Sequence, residues 1–301
     1  MFENILSFAF MLQTLRITIP YFLPSIGAAF SEKGGVINIA LEGILLIGAF
    51  STTVGTFYTQ SIFIGILCGI TAGVVIAFFH AVASVTFKAN QIVSGIALNL
   101  FAIGITKFFC KIIFNSSSNS ERIIGLETVN IPILSSIPIL NNLFITLCLI
   151  LLLISYFVMN KTKFGLRLRA AGENPAAADS LGINVDKIRY AGVLISGMFA
   201  GLGGAWLAFD QHSFTDGMSA GRGYIALAAM IIGKWNPPGA AAACLVFGFA
   251  ESLSIQFQDS PVPTQFIQML PYVLTVIVLA GFIGKSVPPA ADGIPYEKET
   301  E

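Results

Sequence analysis

The chain has 301 residues, 55% of them hydrophobic and only 11% charged, with a mean hydropathy of +0.82. A soluble domain carries about 25% charged residues, so a soluble fold is excluded. Sixteen basic and sixteen acidic residues cancel to a formal charge of zero, which leaves nucleic acid no electrostatic footprint.

The apolar residues come in runs near the length, about 20 residues, that crosses a hydrocarbon core as helix. In chain order they predict spans at 9–30, 36–58, 61–86, 91–112, 143–160, 188–209, 219–235, 238–257 and 265–284. The expected fold is an all-α polytopic membrane protein of about 8–10 transmembrane helices, one domain over residues 1–301. Met1 to Asn4 lacks the basic start of a secretory signal and reads as mature sequence. Cys68, Cys110, Cys148 and Cys244 show no paired spacing and fall in apolar runs, so they read as small core residues. Asn115 to Asn142, with Pro132 and Pro138, reads as an external loop.

The basic loop around 161–187, extended by Arg189, places itself in the cytoplasm by the positive-inside tendency. Counting spans from it puts the N-terminus outside and the tail 285–301 inside, with Lys107, Lys111, Arg122 and Arg222 outside. The count is weakest at 219–235, which is short and broken by glycine; a re-entrant segment there would reverse the parity. Gly65, Gly69 and Gly73 form one small-residue ladder and Gly197 with Gly201 another, faces that let helices approach closely in lipid.

Residues 31–50 are the most unusual stretch. Glu32, Lys33 and the pair Gly34-Gly35 interrupt an apolar region, which restarts with Asn38 and Glu42. On a helix that spacing puts both side chains on one face. A second polar stripe reads Gln91, Gly95, Asn99, Ala102, Thr106. Polar groups within a membrane face protein or water rather than lipid, so the two stripes either line a solute path or bond across helices to hold the bundle. The charges at 32 and 33 mark either a cytoplasmic turn or the tip of a break nearer the midplane. Gly35-Val-Ile-Asn-Ile-Ala also resembles Gly223-Tyr-Ile-Ala-Leu-Ala, each after a glycine-containing break. Interrupted segments at matching points of inverted halves point to a midplane site. That leaves a self-contained secondary transporter or channel as an alternative reading.

Within the basic loop, Asn174 is a good N-cap, Pro175 suits a first helical position and Gly182 suits a stop. So short a helix is marginal alone and is expected to dock on something. Gly281 to Ser286 lacks the spacing of a phosphate-binding loop, so no ATP site is read in the chain. Asp210, His212 and Asp216 read as loop polarity rather than metal ligands. No Ser/His or HExxH pattern suggests an enzyme.

With these residues in hand, the chain resembles permeases of the ABC importers that take up branched-chain amino acids, simple sugars and nucleosides. Glu32-Lys-Gly-Gly-Val-Ile-Asn-Ile-Ala-Leu-Glu-Gly43 and Gly172-Glu-Asn-Pro-Ala-Ala-Ala-Asp-Ser-Leu-Gly-Ile183 carry most of the likeness, and 89–99 and 221–228 add to it. The wording Val-Ile-Asn-Ile-Ala-Leu-Glu-Gly is similar to the nucleoside branch; sugar and branched-chain amino acid uptake are the alternatives. The resemblance implies a plasma-membrane subunit without a cofactor of its own. It implies a separate ATP-binding subunit, a second homologous permease and an external solute-binding lipoprotein. It places Gly34, Gly35, Asn38, Glu42, Gln91 and Asn99 on the substrate path. It also places Gly172, Glu173, Asn174, Pro175, Asp179 and Gly182 at the ATPase contact.

Overall fold

The computed structural model describes residues 7–126, 142–258, 264–269, 273, 277 and 286–297. The predicted span 265–284, the loop prolines and residues 281–285 lie wholly or largely outside these. Ten helices position the site: α1 (Phe8–Lys33), α2 (Leu41–Thr59), α3 (Ile62–Ala81, continued by a π turn at Val82–Thr86), α4 (Gln91–Phe114), α5 (Leu143–Lys161), α6 (Lys163–Glu173), α7 (Pro175–Ser180), α8 (Val185–Gln211), α9 (Arg222–Ile232) and α10 (Pro237–Gln256). Their starts follow from the sequence. Asn90, Asn142 and Asn184 each precede a helix and accept its first free backbone N–H groups through Oδ1.

The bundle is built around α8, whose most apolar stretch is 83% buried, with α1 and α2 against it. By contrast the apolar stretches of α4 and α5 are 22% buried, and Leu100, Ile112, Leu153 and Phe157 are exposed on them. Such surfaces suit lipid or another apolar partner. The two predicted glycine ladders pack on each other. A Cβ at Gly73 would stand 2.8 Å from Gly201 Cα, and one at Gly48 would stand 2.8 Å from Gly201 O. Three backbones meet where no side chain separates them, and contact there rests on van der Waals packing.

Two expected spans are corrected. The second helix starts at Leu41 rather than 36, so Asn38 precedes it and shares no helical face with Glu42. The expected helix 219–235 is reduced to α9, whose 11 residues rise only about 16 Å, half a hydrocarbon core. His212 to Gly221 supplies the other half. It leaves the end of the bundle marked by the Asn119–Thr215 bridge and meets Glu42 in the interior. Beyond α9, Trp235 Nε1 donates to Glu32 Oε2 at the opposite end. The turns of residues 212–221 and the short helix together lead from one end of the bundle to the other.

Gly201→Val should destabilise the fold by about 3 kcal/mol, because the backbone atoms it would strike cannot move independently. Gly104→Ala, with nothing within 4 Å, should leave the melting temperature in detergent unchanged or slightly higher. Equal melting temperatures for the two variants would contradict this packing.

Candidate functional site

At Gly34 the first helix stops, and Gly35, at φ +86°, takes a left-handed turn that side-chain-bearing residues avoid. Residues 36–40 then climb without helical hydrogen bonds. Four of their backbone groups are met by side chains from α1, α3 and α4, as a membrane interior demands. Ser31 Oγ donates to Val36 O (2.6 Å). Ile37 N donates to Gln91 Oε1 (2.7 Å), and His80 Nε2 donates to Ile37 O (2.9 Å). The carbonyl fixes the His80 tautomer, leaving Nδ1 to accept from Ser94 Oγ (3.1 Å). Asn99 does most. Its Nδ2 donates to Ile39 O (2.9 Å) and Tyr224 Oη (3.0 Å), while its Oδ1 accepts from Gly43 N (2.7 Å).

Asn38 is fully buried, its Nδ2 donating to Ser196 Oγ (3.0 Å) and its Oδ1 without a partner among the described residues. Asn99 sits eight residues beyond Gln91, so Glu42 beside it lies about 12 Å along α4 from its start. The stripe read on α4 is real: Gln91, Gly95, Asn99, Ala102 and Thr106 are all buried.

The second break meets the first at Glu42. Its Oε1 accepts from Gly221 N (2.8 Å) and its Oε2 from Gly223 N (2.7 Å). A carboxylate thus rests on the positive end of α9, where helix dipole and free N–H groups favour it. Arg222, expected among the outside charges, turns inward instead. Its Nη2 pairs with Glu251 Oε1 at 2.9 Å and its Nη1 donates to Met218 O (3.1 Å), while Tyr21 Oη donates to Glu251 Oε2. Sequence reasoning missed His80, Ser196, Tyr21 and Glu251. Glu251, a lone acid inside an apolar run, carried the signal that could have flagged it.

Beside this junction lies a cavity of about 220 Å³. Glu42, Asn99, Ser219 and Tyr224 line it with Ile96 and Leu100, and its wall includes the outward face of α4. Both oxygens of Glu42 are engaged by backbone N–H, so its charge is already answered. The loop polarity at the far end is likewise paired, Arg16 with Asp210 and Lys107 with Asp216, each at 2.8 Å.

At the other end the basic loop forms α6 and α7. Asn174 Oδ1 caps α7 by accepting from Ala177 N (3.0 Å), and Gly182, at φ +78°, ends the turn that follows it. Ala178 is buried while Ala176, Ala177 and Leu181 are exposed. A Cβ on Gly172 would strike Lys33 O and stand 3.2 Å from Gly35 N, so α6 presses directly on the break. Glu173 Oε2 and Asp179 Oδ2 accept from Ala290 N (3.3 Å) and Tyr296 Oη (3.1 Å) of the tail.

The model of the family described as branched-chain amino acid transport system, permease component, matches residues 10–279. The chain belongs to this family. It is 42% identical to the guanosine ABC transporter permease protein NupQ of Bacillus subtilis, over 95% of each chain. It is 44% identical to the nucleoside ABC transporter permease protein NupC of Lactococcus lactis, over 93% of each. A solved ABC transporter, of the metal-chelate type by its description and in an inward-facing conformation, superposes with a TM-score of 0.51. That match covers 90% of this chain and 84% of that one at 15% identity, and shows the fold. The permease is a multi-pass plasma-membrane protein.

Two outcomes test this geometry. Glu42→Gln replaces one acceptor by a donor facing a backbone N–H, and should cost about 1–3 kcal/mol of stability, read as a lower midpoint in thermal unfolding. Burial pushes the Asp292 carboxyl, in the tail, up from 3.8 to about 7, partly offset by contact with Glu32, the Gly293 N–H, and the Arg189 and Lys33 charges. A raised acid binds its proton more tightly when docked, so docking is strongest at acid pH. It weakens as pH rises from about 4 through 7. Hydrogen-exchange protection of residues 286–297, corrected for intrinsic rates, should fall between pH 5 and pH 7, and Asp292→Asn should reduce that fall.

Proposed function

We propose that the permease is a membrane subunit of an ATP-driven importer of nucleosides, working with a separate ATP-binding subunit, a second homologous permease and an external solute-binding lipoprotein. The observation that carries the reading is the 42–44% identity, over almost the whole chain, to two permeases named for guanosine and nucleoside transport. The chemistry of the cavity supports it. A nucleoside is neutral and rich in donors and acceptors, and Asn99, Ser219 and Tyr224 offer amide and hydroxyl groups beside apolar wall. A free amino acid would bring a carboxylate and an ammonium, and Glu42, the one charged side chain lining that cavity among the described residues, already has partners for both oxygens.

On this reading the basic loop and the tail face the cytoplasm. Glu42 and Asn99 form the wall of the solute path, with the exposed face of α4 turned to the second permease. Gly34, Gly35, Asn38 and Gln91 set the shape of the broken segment, whose movement opens or closes that path. Residues Gly172, Glu173, Asn174, Pro175, Asp179 and Gly182 form the seat for the ATPase, and the exposed outer side of α7 suits docking. Conformational change then follows from the ATPase binding and hydrolysing ATP.

The test is uptake of labelled guanosine and uridine by the reconstituted transporter, with and without ATP. ATP-dependent uptake competed by unlabelled nucleosides, and unaffected by excess leucine or ribose, is expected. Uptake that survives ATP depletion in an intact ion gradient would point to a secondary transporter and sink the proposal. Asn38→Ala should abolish uptake without preventing assembly. Tyr224→Leu should raise KM about tenfold or more by removing a hydroxyl and an aromatic face, with assembly unchanged.

A further inference from the structure

Residues 286–297 belong to no helix and to neither break, yet they touch both sides of the junction between α6–α7 and the broken segment. On one side Ala291 N donates to Gly172 O (2.8 Å), Ala290 N to Glu173 Oε2 (3.3 Å) and Tyr296 Oη to Asp179 Oδ2 (3.1 Å). On the other, Arg189 at the foot of α8 donates through Nη1 to Ile294 O (2.9 Å). Its Nη2 stands 2.9 Å from where a Gly35 Cβ would be, and Ala291 O stands 3.1 Å from the same point. Ser286 Oγ adds a bond to Ile231 O (3.1 Å) at the end of α9.

We propose that residues 286–297 are a strap through which displacement of α6–α7 is passed to the broken segment, with Arg189 and Tyr296 as its positioning residues. The proposal rests on the reading of α7 as the ATPase seat. Gly172 already touches Lys33 and Gly35, but a van der Waals contact between backbones transmits only a push. Hydrogen bonds tie the strap to α6 and α7 and, through Arg189 and Ile231, to α8 and α9. Against the broken segment it packs at Gly35 and Ile37, so a pull on α6–α7 that withdraws the strap releases that packing. Its own stiffness suits this, since Pro288, Pro289 and Pro295 restrict its backbone. Arg189 holds it down: the side chain is 1% exposed, and undocking would strip a buried guanidinium of the Ile294 carbonyl and of nearby Asp292.

The experiment compares solute taken up per ATP hydrolysed by the complete reconstituted transporter. The variants are a truncation after Ser286, Arg189→Ala, Arg189→Lys and Tyr296→Phe. The strap predicts that basal ATP hydrolysis continues while uptake per ATP falls about tenfold in the truncation and in Arg189→Ala. It predicts a smaller fall in Tyr296→Phe and partial recovery in Arg189→Lys. Unchanged uptake per ATP in the truncation or in Arg189→Ala overturns the strap. If the truncated chain does not assemble, Tyr296→Phe, which removes one hydroxyl, decides by the same ratio. Combined replacement of Glu173, Asn174 and Pro175 separates the two failures. Normal coupling in that variant defeats the ATPase-seat reading; lost coupling there, with coupled strap variants, defeats the strap alone.

Discussion

Every backbone group in residues 34–40 must find a partner inside the protein, because hydrocarbon offers none and each orphan costs several kcal/mol. That constraint sets the positions of Ser31, His80, Gln91 and Asn99, each of which meets one or more of those groups. It also explains why α3 and α4 are tied to the break at all. Asn99 alone joins the broken segment, the start of α2 and α9. The glycine contacts deeper in the bundle are the other half of the same arrangement. They bring the backbones of α2, α3 and α8 into direct van der Waals contact.

The same logic governs the charges. A carboxylate in the interior is tolerable where fixed dipoles and N–H groups answer it, and the free end of α9 supplies both for Glu42. Arg222 and Glu251 answer one another, with Tyr21 as a further donor. The two interrupted segments are therefore joined by a charge on a helix end rather than by apolar packing alone. A movement that separates α9 from α2 must find new partners for Glu42, which makes the junction resist partial opening.

Much of this was legible in the sequence, and the boundary is physical. Composition and run length gave the membrane class. The ladders of Gly65, Gly69, Gly73, Gly197 and Gly201 announced a close contact that exists, and Asn174, Pro175 and Gly182 marked a helix that forms. The stripe from Gln91 to Thr106 holds because α4 is regular. Asn38 and Glu42 do not share a face because periodicity presumes a helix, and Gly35 ends that presumption. The inward turn of Arg222 was illegible for another reason. Its partner lies 29 residues away, and pairing at that range depends on how α9 and α10 pack. His80 and Ser196 stayed hidden likewise, since their roles are fixed by backbone groups that become unpaired only once the helix breaks.

The turn at Glu32–Gly35 lies at the basic-loop end of the bundle, and the broken segment runs from it as a ramp into the interior. Gly34 and Gly35 lie at the basic-loop end against Gly172, whereas Glu42 lies about 12 Å inward beside Asn99. A segment that spans both levels can tie the surface end to the interior without a long lever. Its two ends also differ in kind. The outer end is held by glycine contacts and by the tail, both open to change when a partner binds. The inner end is held by a carboxylate and an amide in a low-dielectric interior, where hydrogen bonds are strong and costly to leave unmade. Such an element has few intermediate positions, because each clamp is either made or lost. That discreteness is what the proposed alternating transport requires of a gate.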